Sequence, residues 1–201
     1  MANGKILLFN RWASEGVEVP DLGLKNHINL KPIILPRSEG KHGTRPFHKN
    51  DMHIVERLVN KLAVPGHRGK KHKTTSGHCV GQAERLSLAV RNAFEMIEQR
   101  TKKNPIQVLV QAIINSAPYE EVAAYRLGGI IARKAVIVAP QRRLDLALRM
   151  LSQGIYRISF KNRMSLEEVI ARELITTADN DLKAHGVKER QRLEKEAEGA
   201  R

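Results

Sequence analysis

From residue 53 onward, apolar residues recur at the spacing of three and four that is typical of amphipathic α-helices. The third such segment opens with Asn104 and Pro105, an N-cap followed by proline at the first helical position. The fifth opens at Ser165, and Glu168 completes the spacing of a capping box. The pattern predicts five helices with these inner faces: Val55, Leu58, Val59, Leu62; Val90, Ala93, Phe94, Ile97; Val108, Leu109, Val110, Ile113, Ile114; Leu144, Ala147, Leu148, Leu151; and Leu166, Val169, Ile170, Leu174.

The stretch between the third and fourth helices has a different pattern. Two runs of strand-forming residues flank Gly128 and Gly129, and a Gly-Gly pair supplies the positive φ values of a tight hairpin turn. Because Pro118 and Pro140 bound the stretch, we expect a β-hairpin at about residues 121–139. Basic residues near its tip favour an arm that leaves the body to touch an anionic partner. A hairpin folded back on its own core remains the alternative.

The two ends of the chain differ from this helical body. Residues 1–50 carry four prolines and scattered glycines, which exclude long helices, so we expect an extended segment that wraps the body. Residues 187–201 are helix-prone but strongly charged, and we expect either a solvated tail or a helix that docks on a partner. The predicted fold is mainly α, a bundle of about six helices with one protruding β-hairpin arm and an extended N-terminal segment, followed by a helical domain over 51–201.

The amino-acid composition restricts the chemical class of the binding partner. The chain has 201 residues, 35 Lys and Arg against 21 Asp and Glu, and a formal net charge of +14. Such an imbalance indicates nucleic acid first and an anionic membrane surface second. No apolar run approaches the ~18 residues of a membrane-spanning helix, and the N-terminal run is too short for a signal peptide. We therefore expect a cytoplasmic protein with no membrane partner.

The basic residues are concentrated in two zones. Residues 37–73 hold ten Lys or Arg against three acids, and residues 141–163 hold six against one. Phosphate contact explains this excess better than a solvated face does. We expect these residues to bind RNA: Arg37, Lys41, Arg45, Lys49, Arg57, Lys61, Arg68, Lys70, Lys71, Lys73, Arg142, Arg143, Arg149, Arg157, Lys161 and Arg163.

Arg142 and Arg143 open the predicted fourth helix, where free N–H groups and the helix dipole attract phosphate. We expect both side chains on the polar side of the helix start, so that folding would barely need them. A pair of exposed arginines that only aids solubility is the alternative.

Metal binding and catalysis find little support in the sequence. His67, His72, His78 and Cys79 lie in a basic loop, and their spacing matches no compact zinc pattern. The serines lack a nucleophile-elbow setting. We therefore expect no metal, no other cofactor and no enzymatic activity, because an RNA-modifying enzyme should show a cluster of titratable residues.

Three segments are specific enough to suggest a family: IVERLVNKL at 54–62, NPIQVLVQAIINSAP at 104–118 and VAPQRRLDLALRML at 138–151. Together with the Gly-Gly hairpin between the last two, they resemble the universal small-subunit ribosomal protein seven family. The resemblance covers about residues 50–180. KILLFNRW and HINLKPIILP, in the first 36 residues, resemble the archaeal and eukaryotic form, which is numbered five in eukaryotic counting.

This resemblance implies a structural constituent of the small ribosomal subunit. Such a protein would bind the 3′ major domain of small-subunit ribosomal RNA and nucleate assembly of the head, beside other head proteins and platform protein eleven. Its hairpin would line the exit site for transfer RNA and the messenger RNA exit path. The hairpin residues that the resemblance places there are Tyr125, Arg126, Gly128, Gly129, Arg133 and Lys134. A DNA-binding architectural or regulatory protein with a β-arm is the alternative.

Overall fold

The computed structural model describes residues 6–64 and 81–201. Within these residues the fold is mainly α with one β-hairpin, as the sequence predicted. Two single 3₁₀ turns, Lys41–Gly43 and His48–Asp51, precede the main body. The α-helices and β-strands are α1 Leu22–Lys25, α2 Ile54–Ala63, α3 Ala83–Thr101, α4 Pro105–Ser116, β1 Glu120–Leu127, β2 Ile130–Ile137, α5 Pro140–Ser159, α6 Leu166–Ala178 and α7 His185–Glu198.

Side-chain caps fix where several helices begin. The Asn104 side chain accepts the Ile106 N–H at 3.0 Å in front of α4. Ser165 and Glu168 form the full capping box of α6. Both caps confirm the sequence prediction. At α2 the cap is His53, whose Nδ1 accepts the Val55 N–H, and burial lowers the pKa of this imidazole to about 4. His53 is therefore neutral, as an acceptor at this position must be.

Helix α4 is the centre of the bundle and packs against α3, α5, α6 and α7. Nearly every predicted inner-face residue is buried, with Phe94, Leu109 and Leu148 wholly removed from solvent. Ile114 is the one exception in the predicted set, and it is half-buried. The helical periodicity thus identified the core correctly. Among the described residues no helix is both long and apolar enough to cross a bilayer.

The N-terminal residues lie against this bundle with few regular elements. The Trp12 ring packs edge-to-face on Phe94 at 5.6 Å, and its Nε1 donates to Glu98 at 3.1 Å. The Asn104 side chain donates to the Ala13 carbonyl at 2.8 Å. Farther along, α1 packs against α5. These contacts place the segment along α3, the start of α4 and α5.

Helix α7 corrects the expectation for the C-terminus. It is neither a solvated tail nor a helix without a partner in its own chain, because it packs on α4, α5 and β1. Val187 and Ala197 are fully buried. Gly186 lets α7 approach α4 closely, since a Cβ there would lie 2.5 Å from Ser116 Oγ. The apolar pattern did not reveal this packing because small residues, rather than large apolar ones, bring α7 against α4.

The hairpin pairs β1 with β2 from Glu120↔Ile137 to Leu127↔Ile130. Gly128 and Gly129 adopt φ values of +53° and +92°, as the predicted turn requires. Ile130 and Ile131 near the tip are 74% and 63% exposed, so the end of the hairpin does not pack on the body. This exposure favours the protruding arm over the folded-back alternative.

The base of the hairpin is fastened to the body at several points. Arg142 forms a bidentate pair with Glu121, and Arg201 pairs with Glu120 at 2.5 Å. The backbone N–H of Tyr119 donates to Glu194 of α7 at 3.2 Å. The arm is consequently anchored at its root by α5 and by the end of the chain.

Candidate nucleic-acid interface

A cleft of about 920 Å³ separates the end of α2 from the start of α5. The turn at residues 46–52 closes one side, and Ala139, next to the hairpin, closes another. We call it the basic cleft. Among the described residues, five cations and one acid line it: Lys49, Arg57, Lys61, Arg142, Arg149 and Asp145. The structure thus brings together bases that are up to 100 residues apart in the chain.

Asp145 organises the inner wall of the basic cleft. Lys49 Nζ and Arg57 both bind its carboxylate, the latter at 2.8 Å. Burial acts to raise the pKa of Asp145, but the hydrogen bond from Lys49 and the charges of Arg57 and Lys49 outweigh it and hold the pKa below its usual value. The carboxylate is therefore ionised and neutralised by two cations. Arg57 is only 5% exposed, so it supports the wall rather than reaching outward.

Arg142, Lys61 and Arg149 supply the outward-facing charge of the cleft. The Arg142 side chain is 58% exposed although it is paired with Glu121. The hydrogen bond that Arg142 donates to the Glu121 carboxylate is the largest cause that raises the pKa of Arg142. Arg149 is exposed, and Lys61 is half-buried. Guanidinium and ammonium groups that line the cleft from both helices are suited to phosphate oxygens.

The basic surface continues along α5. At 100° per residue, Arg142, Arg149 and Arg157 lie within about 80° of one another around the helix axis. They span about 22 Å of helix at 1.5 Å per residue. Lys161 and Arg163 follow directly after the helix, and both are exposed. We call this set the α5 face, and it extends the basic cleft toward the far end of the helix.

Arg143 corrects the sequence prediction. It is 5% exposed and points away from the cleft, where its Nη2 binds Asp21 at 2.8 Å. Its guanidinium lies 4.1 Å from the centre of the Tyr119 ring, and its Nε donates to the Pro118 carbonyl. The expectation that Arg143 lies exposed on the polar side of the helix start is therefore wrong. The side chain ties α5 to the N-terminal segment and to the root of the hairpin.

The model of the family described as Ribosomal protein S7p/S5e matches residues 24–201, which include the whole basic cleft, the α5 face and the hairpin. The chain belongs to this family. It is accordingly a structural ribosomal protein of the small subunit.

Two relatives give the same result over almost the whole chain. The Small ribosomal subunit protein uS7 of Nanoarchaeum equitans is 45% identical over 197 residues, which is 98% of this chain and 100% of the relative. That of Methanothrix thermoacetophila is 41% identical over 194 residues, 96% of this chain and 99% of the relative. The resemblance drawn from three short segments is thereby confirmed, including its archaeal type.

The remaining predicted RNA-binding residues of this family member fall in several places. Arg37 is engaged by Glu84 at 3.0 Å and by Glu39 at 3.4 Å. Lys41 and Arg45 are exposed on the segment before α2. Arg68, Lys70, Lys71 and Lys73 lie outside the described residues, as do His67, His72, His78 and Cys79.

The predicted hairpin residues lie on the two faces of one ribbon. The pairing register puts Arg126 and Arg133 on one face as diagonal neighbours. Tyr125 and Lys134 share the opposite face in the same relation. All four are exposed, so the tip presents cations on both sides.

Sequence reasoning missed the acids that position these bases. In the sequence Asp145 is only the single acid among the six bases of residues 141–163, and nothing there singles out Glu121. The signal for Asp145 was present, because a single carboxylate among many cations in a predicted helix is a natural pairing partner. Which cations it would meet could not be seen, since Lys49 lies 96 residues away.

Proposed function

We propose that the chain binds small-subunit ribosomal RNA through the basic cleft and the α5 face, and that its RNA is the 3′ major domain. One observation carries this proposal. Bases from two distant zones converge on a cleft in which Asp145, the single acidic lining residue in the described part of the chain, is already neutralised. An anionic backbone therefore meets no unpaired carboxylate among the described residues that line the cleft. Arg57 and Arg143 are left out of the contact set because both are buried in ion pairs.

We further propose that binding nucleates the head of the small subunit, with other head proteins and platform protein eleven as neighbours. The protein then works on the ribosome in the cytoplasm, and its role is structural rather than catalytic. The exposed tip of the hairpin supports a contact beyond the body, with exit-site transfer RNA and messenger RNA. Arg126, Arg133 and Lys134 are the tip cations available for it.

The test compares two RNA fragments and two matched variants. The purified chain is titrated with the 3′ major domain of small-subunit RNA and, as the competitor, with the 5′ domain of the same RNA. Lys61→Ala with Arg149→Ala removes two charges from the cleft, and Arg100→Ala with Lys103→Ala removes two exposed charges outside it. We expect tight binding to the 3′ fragment only, weakened about tenfold or more by the cleft pair and little by the control pair.

Two results would contradict the proposal. Equal loss of affinity in both double variants would show that net charge, not the cleft, governs binding. Equal or tighter binding to duplex DNA would favour the architectural DNA-binding alternative. Chemical footprinting of the 3′ fragment then identifies the nucleotides that the cleft protects.

A further inference from the structure

Two histidines and an aspartate meet just before α2, at the entrance to the basic cleft. They are His42 in the first 3₁₀ turn, and His48 and Asp51 in the second. One ring nitrogen of each histidine and one carboxylate oxygen of Asp51 all lie within 4.8 Å of one another. His48 Nε2 is already 3.6 Å from Asp51 Oδ2. The two rings meet edge to face, with their centroids 5.2 Å apart.

The hydrogen bonding of this cluster is incomplete. Nδ1 of His42 and Nδ1 of His48 are both removed from solvent, and neither has a hydrogen-bond partner among the described residues. Buried polar nitrogens normally find one, because leaving them unpaired costs stability. Neither ring is therefore held in place from the Nδ1 side. The cluster is not part of the apolar core, since neither 3₁₀ turn has a buried residue.

We propose that His42, His48 and Asp51 form a binding site for a divalent transition-metal ion of the zinc class. Two imidazoles and one carboxylate are a ligand set that zinc takes in proteins, with the fourth position left for water. Ligand atoms around tetrahedral zinc lie about 3.3 Å apart, given metal–ligand bonds of about 2.0–2.1 Å. The His48–Asp51 pair is already near that separation, and rotation of the side chains on two short turns closes the rest.

A metal bound at this site would restrain the two 3₁₀ turns, which lie at the entrance to the basic cleft. Lys49 lies between the two ligands of the second turn and binds Asp145 across the cleft. A metal bridging residues 42, 48 and 51 joins the two turns and so restrains Lys49. Phe47 immediately precedes the second turn with a φ of +62°, a left-handed conformation that costs energy for a non-glycine residue and that a metal would hold.

The experiment uses the untagged full chain, freed of metal with a chelator and titrated with Co²⁺. Tetrahedral Co²⁺ has visible absorption bands, and competition with Zn²⁺ then gives the zinc affinity. We expect one equivalent to bind. His42→Ala and His48→Ala should each weaken it by at least the 10- to 100-fold that loss of an outer partner alone costs, and exposed Asp51→Asn should weaken it without affecting folding.

The matched control removes the other histidine group of the chain. A variant with His67→Ala, His72→Ala, His78→Ala and Cys79→Ser should keep the Co²⁺ bands and the one-to-one stoichiometry. At the same Zn²⁺ concentration the melting temperature of the wild type and of this control should rise, and that of Asp51→Asn should rise less. Absence of the bands in the wild type would overturn the proposal. So would bands that persist in the His42→Ala, His48→Ala double variant or vanish only in the control.

Discussion

Arg142 and Arg143 are neighbours in sequence with opposite surroundings. Arg142 faces the basic cleft and solvent, whereas Arg143 is sealed against Asp21 and Tyr119. A helix turns 100° per residue, so adjacent residues at its start fall on different sides. Burial, rather than sequence position, therefore decides which arginine is available to RNA.

Arg143→Ala should lower the free energy of unfolding by about 3 kcal/mol, because it leaves the largely buried Asp21 carboxylate without its cation. Arg142→Ala is the matched control and should change stability by less than about 1 kcal/mol, as exposed ion pairs do, while weakening RNA binding. Urea denaturation of both variants measures the difference. Equal stability of the two would contradict the structural role of Arg143.

Asp21 makes the same contact sensitive to acid. Burial acts to raise the pKa of Asp21, but the hydrogen bond and charge of Arg143, with the N–H groups of Gly23 and Leu24, outweigh it and hold the pKa below its usual value of 3.8. A carboxyl whose folded pKa is lowered stabilises the fold above its unfolded pKa, and that stability is lost as pH falls through the folded pKa.

Asp21→Asn should therefore be less stable than the wild type at pH 7, and the gap should narrow as pH falls below about 4. Urea midpoints measured from pH 7 to pH 2 test this. A gap that stays constant down to pH 2 would show that Asp21 acts only through its hydrogen bonds and not through its charge.

At the scale of elements, α7 shows how close packing can be hidden in a charged sequence. Gly186→Ala should destabilise the protein by about 1–3 kcal/mol, because the new methyl group would meet the fully buried Ser116 at 2.5 Å. Gly199→Ala, at the end of α7, meets nothing closer than 3.7 Å and should be nearly neutral. Thermal unfolding compares the two, and similar melting temperatures would argue against tight docking of α7 on α4.

The hairpin separates into a root that belongs to the body and a tip that does not. Glu120 and Glu121 are held by Arg201 and Arg142, while the tip is exposed. Replacing residues 123–134 by Gly-Gly joins Val122 to its cross-strand partner Ala135 and keeps the root. We expect a folded protein that still binds ribosomal RNA and enters small subunits.

Those subunits should hold deacylated transfer RNA less firmly or maintain the reading frame less well, because the tip cations are gone. Incorporation is measured by sedimentation, and transfer-RNA retention by filter binding. Failure to enter subunits would mean that the tip anchors RNA. Normal retention together with a normal reading frame would mean that the arm has no role at the exit site.

At the scale of the whole molecule, a net charge of +14 makes salt the decisive variable. Six to ten phosphate contacts would cost about 10³- to 10⁵-fold in affinity between about 50 and 200 mM salt. The Lys61→Ala, Arg149→Ala variant should reduce the slope of log affinity against log salt by about 2. A flat profile for the wild type would contradict phosphate binding, and an unchanged slope in the variant would place the contacts elsewhere.

The sequence alone determined the helices, the hairpin and the family. Helical periodicity, the caps at Asn104 and Ser165 and the Gly-Gly turn are local signals, since each needs only residues a few positions apart. They identified core residues from Leu58 to Leu174, because the apolar face of a helix is buried whichever neighbouring element covers it. The basic residues that are concentrated in the sequence also lie together in the folded protein, where they line the basic cleft.

Only the tertiary structure decided how those elements meet. Sequence patterns could not show that Lys49 joins Arg57 on Asp145, that Arg143 turns inward to Asp21, or that α7 docks through small residues. Each of these contacts links positions far apart in the chain. Their formation depends on which faces oppose each other once the bundle has closed. The physical reason is that burial and charge pairing are properties of a packed interface, whereas periodicity and capping are properties of a single element.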